Sequence, residues 1–346
     1  MSASIKLAVT ALGMAFAGQA MAAALTVISF GGAGKSAQDK AYYRPFQRET
    51  GIKVIGAEYN GEMAKIKAMV DSRSVSWDVV EVEPAALARG CDEGLFEKLD
   101  YSKIGKPADF LAGAVQSCGI GMNVWSIVLA YNADKLKTAP AGWKDFWDVK
   151  TFPGKRGLRK GAQDNLEFAL MADGVAPKDV YKVLATPAGV DRAFRKLDQL
   201  RPNIQWWEAG SQPPQFLVSG DVVMSSAYNG RISEARKEGK NLKAVWNGSV
   251  YNYDYWAIPK GSPRKDDALK FIRFATQPAN QKVYADTIDY GVTHRKAIQM
   301  LDATRSRDLP TSPRNLAVAL SEDTAFWVDR SEELEQRFNA WVAKSK

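Results

Sequence analysis

Aromatic and acidic side chains gather at the ends of apolar runs in this sequence, whereas the sets that carry covalent or metal chemistry do not assemble. There is a single histidine, His294, so a histidine-based triad or a multi-histidine metal site would rest on that residue alone. Glu81 and Glu83 stand two apart at a strand end, the spacing of a conceivable glycosidase acid/base pair. No second acid on a neighbouring strand end completes such a site. Tyr251, Tyr253 and Tyr255 bring to mind a tyrosine and carboxylate iron site, but their alternation fits an ordinary strand equally well. The stretch from Ser29 to Ser36 ends in Gly34-Lys35-Ser36 like a phosphate loop, yet that pattern requires glycine where Ser29 stands. Its glycines more simply allow a tight turn and close approach of the backbone.

What remains is recognition. The elements that must position it alternate: Leu25 to Phe30 reads as a buried strand stopped by Gly31-Gly32, Ser36 to Glu49 as a helix ended at Thr50-Gly51, and Ile52 to Ala57 as a second strand. Glu62 to Ser72 follows as a helix and Trp77 to Val82 as a third strand. This order means a parallel sheet flanked by helices. Further on, Val124 to Asn132, Val222 to Ala227 and Tyr255 to Pro259 read as strands. A turn at Pro153-Gly154 enters another strand, and helices are expected at 166–172, 177–184, 189–200, 266–274, 280–287 and 332–342. In parallel α/β sheets the ligand lies beyond the carboxyl ends of the strands. That rule selects Phe30, Gly31, Glu83, Ser126, Asp164, Tyr228 and the residues around Asp254.

The first residues carry Lys6, an apolar run from Leu7 to Ala17 and the small-residue pattern Ala20-Met21-Ala22, which reads as a secretory signal peptide over 1–23. Export places the two cysteines, Cys91 and Cys118, in an oxidising compartment, where a single disulfide is expected; two buried thiols are the alternative. A chain of 346 residues exceeds what one core holds, so two domains are expected. The net charge of +8 is dispersed among acids, and with export it argues against a nucleic-acid partner. No cofactor is implied.

Several segments together resemble the periplasmic spermidine/putrescine-binding proteins of ABC importers. They are Leu25 to Val54 with its closing Glu49-Thr50-Gly51-Ile52-Lys53-Val54, Trp77-Asp78-Val79-Val80 followed by Asp92 to Asp100, Ala227-Tyr228-Asn229-Gly230, and Asp254-Tyr255-Trp256-Ala257-Ile258-Pro259. The resemblance spans nearly the whole exported chain. It implies a type II periplasmic-binding-protein fold: two α/β lobes, each a mainly parallel sheet flanked by helices, joined by a double crossover that closes as a hinge. Carried over, lobe 1 comprises 24–130 and about 254–298, and lobe 2 about 135–249 and 299–346. The crossings fall near 129–134 and 250–254.

The resemblance also implies a ligand held by aromatic rings and carboxylates, which suits a flexible amine. Phe30, Glu83, Asp164, Tyr228 and Asp254 match family pocket positions, and Trp327 matches a C-terminal one; Ser126 and Tyr253 lie beside the crossings. The sequence departs at Gly31-Gly32, where relatives carry a bulkier turn, and at Gly161, where many carry an acid. Arg231, directly after Asn229-Gly230, is a candidate partner for a ligand carboxylate. The expected function is therefore delivery of a polyamine, as a monomer, to an inner-membrane ABC permease. Binding of an ω-amino acid such as 4-aminobutyrate or 5-aminovalerate is the first alternative, and a secreted hydrolase the second.

Overall fold

A computed structural model describes residues 24–344, so the expected signal peptide lies outside the described residues. Nine strands form one continuous sheet: β1 Leu25–Ser29, β2 Val54–Glu58, β3 Val79–Val82, β4 Gly119–Asn132, β5 Arg156–Arg159, β6 Ile204–Trp207, β7 Met224–Tyr228, β8 Leu242–Ala257 and β9 Leu320–Ser321. The order is β2-β1-β3-β8-β4-β7-β5-β6, with β9 on β8. β2, β1 and β3 are mutually parallel, as are β7, β5 and β6; β8 and β4 between them run antiparallel to their neighbours. The two parallel halves are the expected lobe sheets, fused through the antiparallel pair into a mixed sheet flanked by helices.

The local reasons are simple. β1 is a run of β-branched and aliphatic residues that buries almost all its side chains, and it stops where Gly31 adopts a φ of 80°. After β3, Pro84 takes the first position of the helix Pro84–Asp92, where its missing N–H costs nothing. The helix expected from Ser36 to Glu49 is instead Gly32–Gln38 and Arg44–Thr50 joined by a π-turn, Asp39–Tyr43, and it ends at a left-handed Gly51 as the Thr50-Gly51 stop foretold.

β8 carries its chain through two cores. Tyr253, Tyr255 and Trp256 pack with Ile120, Met122 and Val124 of β4 in the first, whereas Val250 packs with Ile127, Leu129 and Tyr131 in the second. Along β4 the change of core falls between Val124 and Ile127, and Leu129 and Tyr131, inside the expected crossing of 129–134, pack in the second core. Leu301 and Leu309 remain in the first core, and the chain joins the second only from Leu320, not at 299.

Cys91 and Cys118 are bonded, with Cα atoms 5.8 Å apart. The bond ties the helix Pro84–Asp92 to the chain entering β4 and closes a loop of sequence separation 27. In the chain-entropy model such a loop contributes about 3.5 kcal/mol. A Cys91→Ser/Cys118→Ser double variant is expected to lose about that much in urea unfolding; an unchanged midpoint and slope would contradict the assignment of stability to this bond.

Candidate functional site

Strand alternation decides which crossing residues share a wall. β4 pairs with β8 as Asn123↔Asp254, Val124↔Tyr253, Trp125↔Asn252 and Ser126↔Tyr251, and with β7 as Ile127↔Tyr228. Residues directly opposite share a face and successive residues change face. Asp254, Trp125 and Tyr228 therefore lie on one face, while Ser126 and Tyr253 lie on the other. The contacts agree. The Trp125 indole N–H donates to Asp254 at 3.2 Å, and its ring meets Tyr228 edge-on with centroids 5.7 Å apart.

A cavity of about 250 Å³ opens along this face. Glu83, Trp125, Arg159, Gln163, Tyr228 and Glu322 are among its lining residues. Arg159, the last residue of β5, donates from Nη1 to the Tyr228 hydroxyl at 3.1 Å. The wall thus runs from a guanidinium past two aromatic rings, and the Asp254 carboxylate stands behind the second of them, Trp125, rather than among the lining residues. Proximity to Tyr228, and then to Asp164 and Glu83, keeps Arg159 firmly charged against the cost of its burial.

Acids close the cavity from both halves. Burial, reinforced by Glu81 and Glu83, raises Asp254 well above the usual carboxylate range, although Asn123 and Trp125 donate to it. On the opposite half, Asp164 stands at a φ of 68°, is 2 % exposed and leaves Oδ1 without a protein partner. Burial lifts it to about 6 despite Arg159. Burial and then Asp164 lift Glu322 to about 8; Asn252 donates to its Oε1 at 2.8 Å, while Oε2 has no partner. None of these acids forms an ion pair within 4.0 Å of a lysine, arginine or histidine among the described residues. The site is a pocket with one buried cation, Arg159, a second, Lys160, at its rim and engaged by Glu208 at 3.2 Å, and several carboxyl groups held away from their ordinary ionisation by burial.

The structure brings together Glu83, Asp164, Tyr228 and Asp254, and separates the rest of the expected set from them to differing degrees. Phe30 is half-buried, with its ring stacked on Tyr59 at 5.3 Å and its backbone N–H donating to Glu81 at 3.3 Å, and it is not among the lining residues of the cavity. Gly31 supports the turn beneath Glu58, whose side chain would collide with any Cβ there. Ser126 and Tyr253 face away; Tyr253 packs in the first core with its ring over Gly113. Trp327 is 2 % exposed inside the second core, its indole N–H on Glu167 at 2.7 Å. Arg231 is engaged by Glu234 at 3.0 Å and lies beside Gly32, outside the cavity that holds Arg159. Lys35, the lysine of the apparent phosphate loop, sits 3.5 Å from Glu58.

Arg159 and Glu322 were not among the expected residues. Arg159 stands at the tip of β5 and obeys the strand-end rule that selected the others. Glu322 directly follows the two-residue strand β9, which is too short to leave a pattern in sequence.

A two-lobed α/β molecule with a polar, aromatic-walled cavity at the junction of its halves is a solute-binding protein. The family model for bacterial extracellular solute-binding proteins matches residues 41–311, and the chain belongs to that family. It is 59 % identical over 339 residues to the gamma-aminobutyric acid-binding protein of Pseudomonas aeruginosa, covering 98 % of this chain and 96 % of that one. A solved GABA-receptor structure superposes with a TM-score of 0.83 at 32 % identity, over 93 % of this chain and 98 % of its own. The spermidine/putrescine-binding periplasmic protein of Escherichia coli strain K12 is 26 % identical over 281 residues, 78 % of each chain. The polyamine-type relationship expected from sequence is real but distant, and the ω-amino-acid alternative has the nearer relatives.

The raised acids fix a sign for stability. Glu81, Asp164 and Glu322, lifted to about 7, 6 and 8, bind more protons in the folded than in the unfolded chain, where carboxyls titrate near 4. Each is without penalty below its unfolded value and destabilises increasingly as pH rises toward its folded one. Without ligand the protein should therefore lose melting temperature between about pH 4.5 and pH 8, and a Glu322→Gln variant should lose less. A flat profile for both proteins would contradict the placement of these acids.

Proposed function

We propose that this protein is the periplasmic solute-binding component of an ABC importer and that it captures an ω-amino acid of the 4-aminobutyrate type. The observation that carries the reading is the single arginine in the cavity. Arg159 and Tyr228 form a positive pole for a carboxylate, Glu83 and Asp254 a negative pole for an ammonium group, and the Trp125 and Tyr228 rings a wall for the methylenes between. A diamine or triamine would have no group for Arg159 to pair with and would place one of its cations against the guanidinium. The names of the nearer relatives support the same choice over a polyamine.

The chain crossings between Val124 and Ile127 and between Val250 and Tyr253 are the natural hinge, and closure would bring Glu83 toward Arg159 and Asp164. The closed form, as a monomer, is the species offered to the inner-membrane permease. Phe30 and Tyr59 extend the aromatic wall at the acidic end. Arg231 is not the carboxylate partner in this reading.

Thermal shift with 4-aminobutyrate, 5-aminovalerate, putrescine and spermidine tests the proposal. The ω-amino acids should stabilise by about 2.7 kcal/mol at one hundred times their Kd, and the polyamines should bind far more weakly. Arg159→Ala should reduce ω-amino-acid affinity by at least about thirtyfold, since it strands a carboxylate in a buried site, while Arg231→Ala should change it little. Equal affinity of the wild type and Arg159→Ala for 4-aminobutyrate would remove the case for this carboxylate site.

A further inference from the structure

Glu81 is 4 % exposed on β3 and does not line the cavity, yet the register ties it to the acidic end. It pairs directly with Trp256, which makes Asp254, two residues along β8, its diagonal neighbour on the same face. Glu83, one residue past the end of β3 in still-extended backbone, continues the alternation to that face. Three carboxyl groups thus share one patch, in depth order Glu83, Asp254 and Glu81. Only hydrogen bonds support the deepest. Its Oε2 accepts from the Phe30 N–H at 3.3 Å and from the Gln38 amide at 2.9 Å, and Gln38 in turn accepts from the Tyr43 hydroxyl.

No lysine, arginine or histidine among the described residues forms an ion pair with any of the three. Around Glu81 the facing titratable groups are phenols: Tyr42 and Tyr43 from the π-turn, Tyr59 beyond β2, and Tyr284 and Tyr290 from the segment that follows the helix Lys265–Ala275. All five are raised by burial, so none carries charge to offset a carboxylate. Burial lifts Glu81 itself to about 7, against the pull of Gln38 and the Phe30 N–H. A buried carboxylate without a cation is costly, and the first cation this patch can meet is one the ligand brings.

We propose that Glu81, which touches no ligand, is the remote counter-charge of the amine site: an ammonium group entering beside Glu83 and Asp254 drives the carboxyl proton of Glu81 to solvent, so that capture of the ligand releases a proton. The O–H bond of the acid breaks, its electron pair stays on the carboxylate, and the proton passes to water. The inference rests on the proposed ligand only in that the ligand carries an ammonium group. Such an ω-amino acid keeps both its charges from about pH 5.5 to 8.5, so the titration belongs to the protein.

Isothermal titration of the exported chain with 4-aminobutyrate, in paired buffers of unlike ionisation enthalpy at each pH, reads the release directly. Between about half and one proton should leave per ligand at pH 6, falling toward none by pH 8.5, and affinity should climb by up to about tenfold per pH unit before levelling above about pH 7. Glu81→Gln should flatten that climb. Gln38→Met, which removes a donor that favours the carboxylate, should move it to higher pH with the acid intact. Equal heats in both buffers throughout would overturn the proposal, as would a climb that neither variant alters, which would assign the proton to Asp254. Putrescine titrated in the same way separates the two claims. Putrescine uptake with proton release, beside indifference to 4-aminobutyrate, would reject the ligand reading and support the role of Glu81.

Discussion

One antiparallel ladder governs this molecule. β4 and β8, of 14 and 16 residues, lie side by side through both cores, and the face of each side chain is settled by its place in their register. The aromatic wall, the acid behind it and the neighbours that tune that acid all follow from the pairing of Asn123 with Asp254. A slip of one residue would bring Ser126 and Tyr253 to the cavity and send Trp125 and Asp254 into the packing behind. The bulge between Ile127 and Leu129 marks where the pair leaves the site for the second core.

Electrostatics then distinguish this pocket from a generic polar cleft. Many charged groups on the surface are paired with neighbours, as Arg192 is with Asp173 and Arg337 with Asp191. Inside the junction the acids outnumber the cations, and their hydrogen-bond partners are amides and an indole. Neutral donors orient a carboxylate without cancelling its charge. The free protein therefore holds a costly arrangement of buried acids, one that the proposed ω-amino acid would relieve on binding.

How far the sequence foretold this is best judged residue by residue. Glu83 and Tyr228 were legible because strong apolar runs end at them, and the same rule applied to the run after Pro153 leads to Arg159. Arg231 drew attention through its Asn-Gly turn, but a glutamate three residues on, invisible as a partner until the helix is built, takes up its charge. The first dozen residues of β8 escaped detection because polar Asn247, Gly248 and Asn252 interrupt them and because the strand changes cores midway, leaving no single hydrophobic period. Tyr253 was expected in the site and Trp125 was not, since parity along a strand is fixed only by its partner, and the register gives the cavity to Trp125. Trp327 matched a pocket position but is consumed by packing and by Glu167, a buried acid that needs its indole N–H.

The short strand β9 has a mechanical meaning. It pairs in parallel with β8 at Val250 and Tyr251, so the chain passes between the halves a third time beside the long pair. Two adjacent ribbons alone form a narrow strap that can twist as readily as it bends. A third anchored against one edge broadens the strap and stiffens it in torsion, leaving flexure as the soft mode. In the closure proposed above, the jaws of such a clamp would meet in the same alignment at every stroke, and Glu322, which directly follows the added ribbon, would return to the same berth each time.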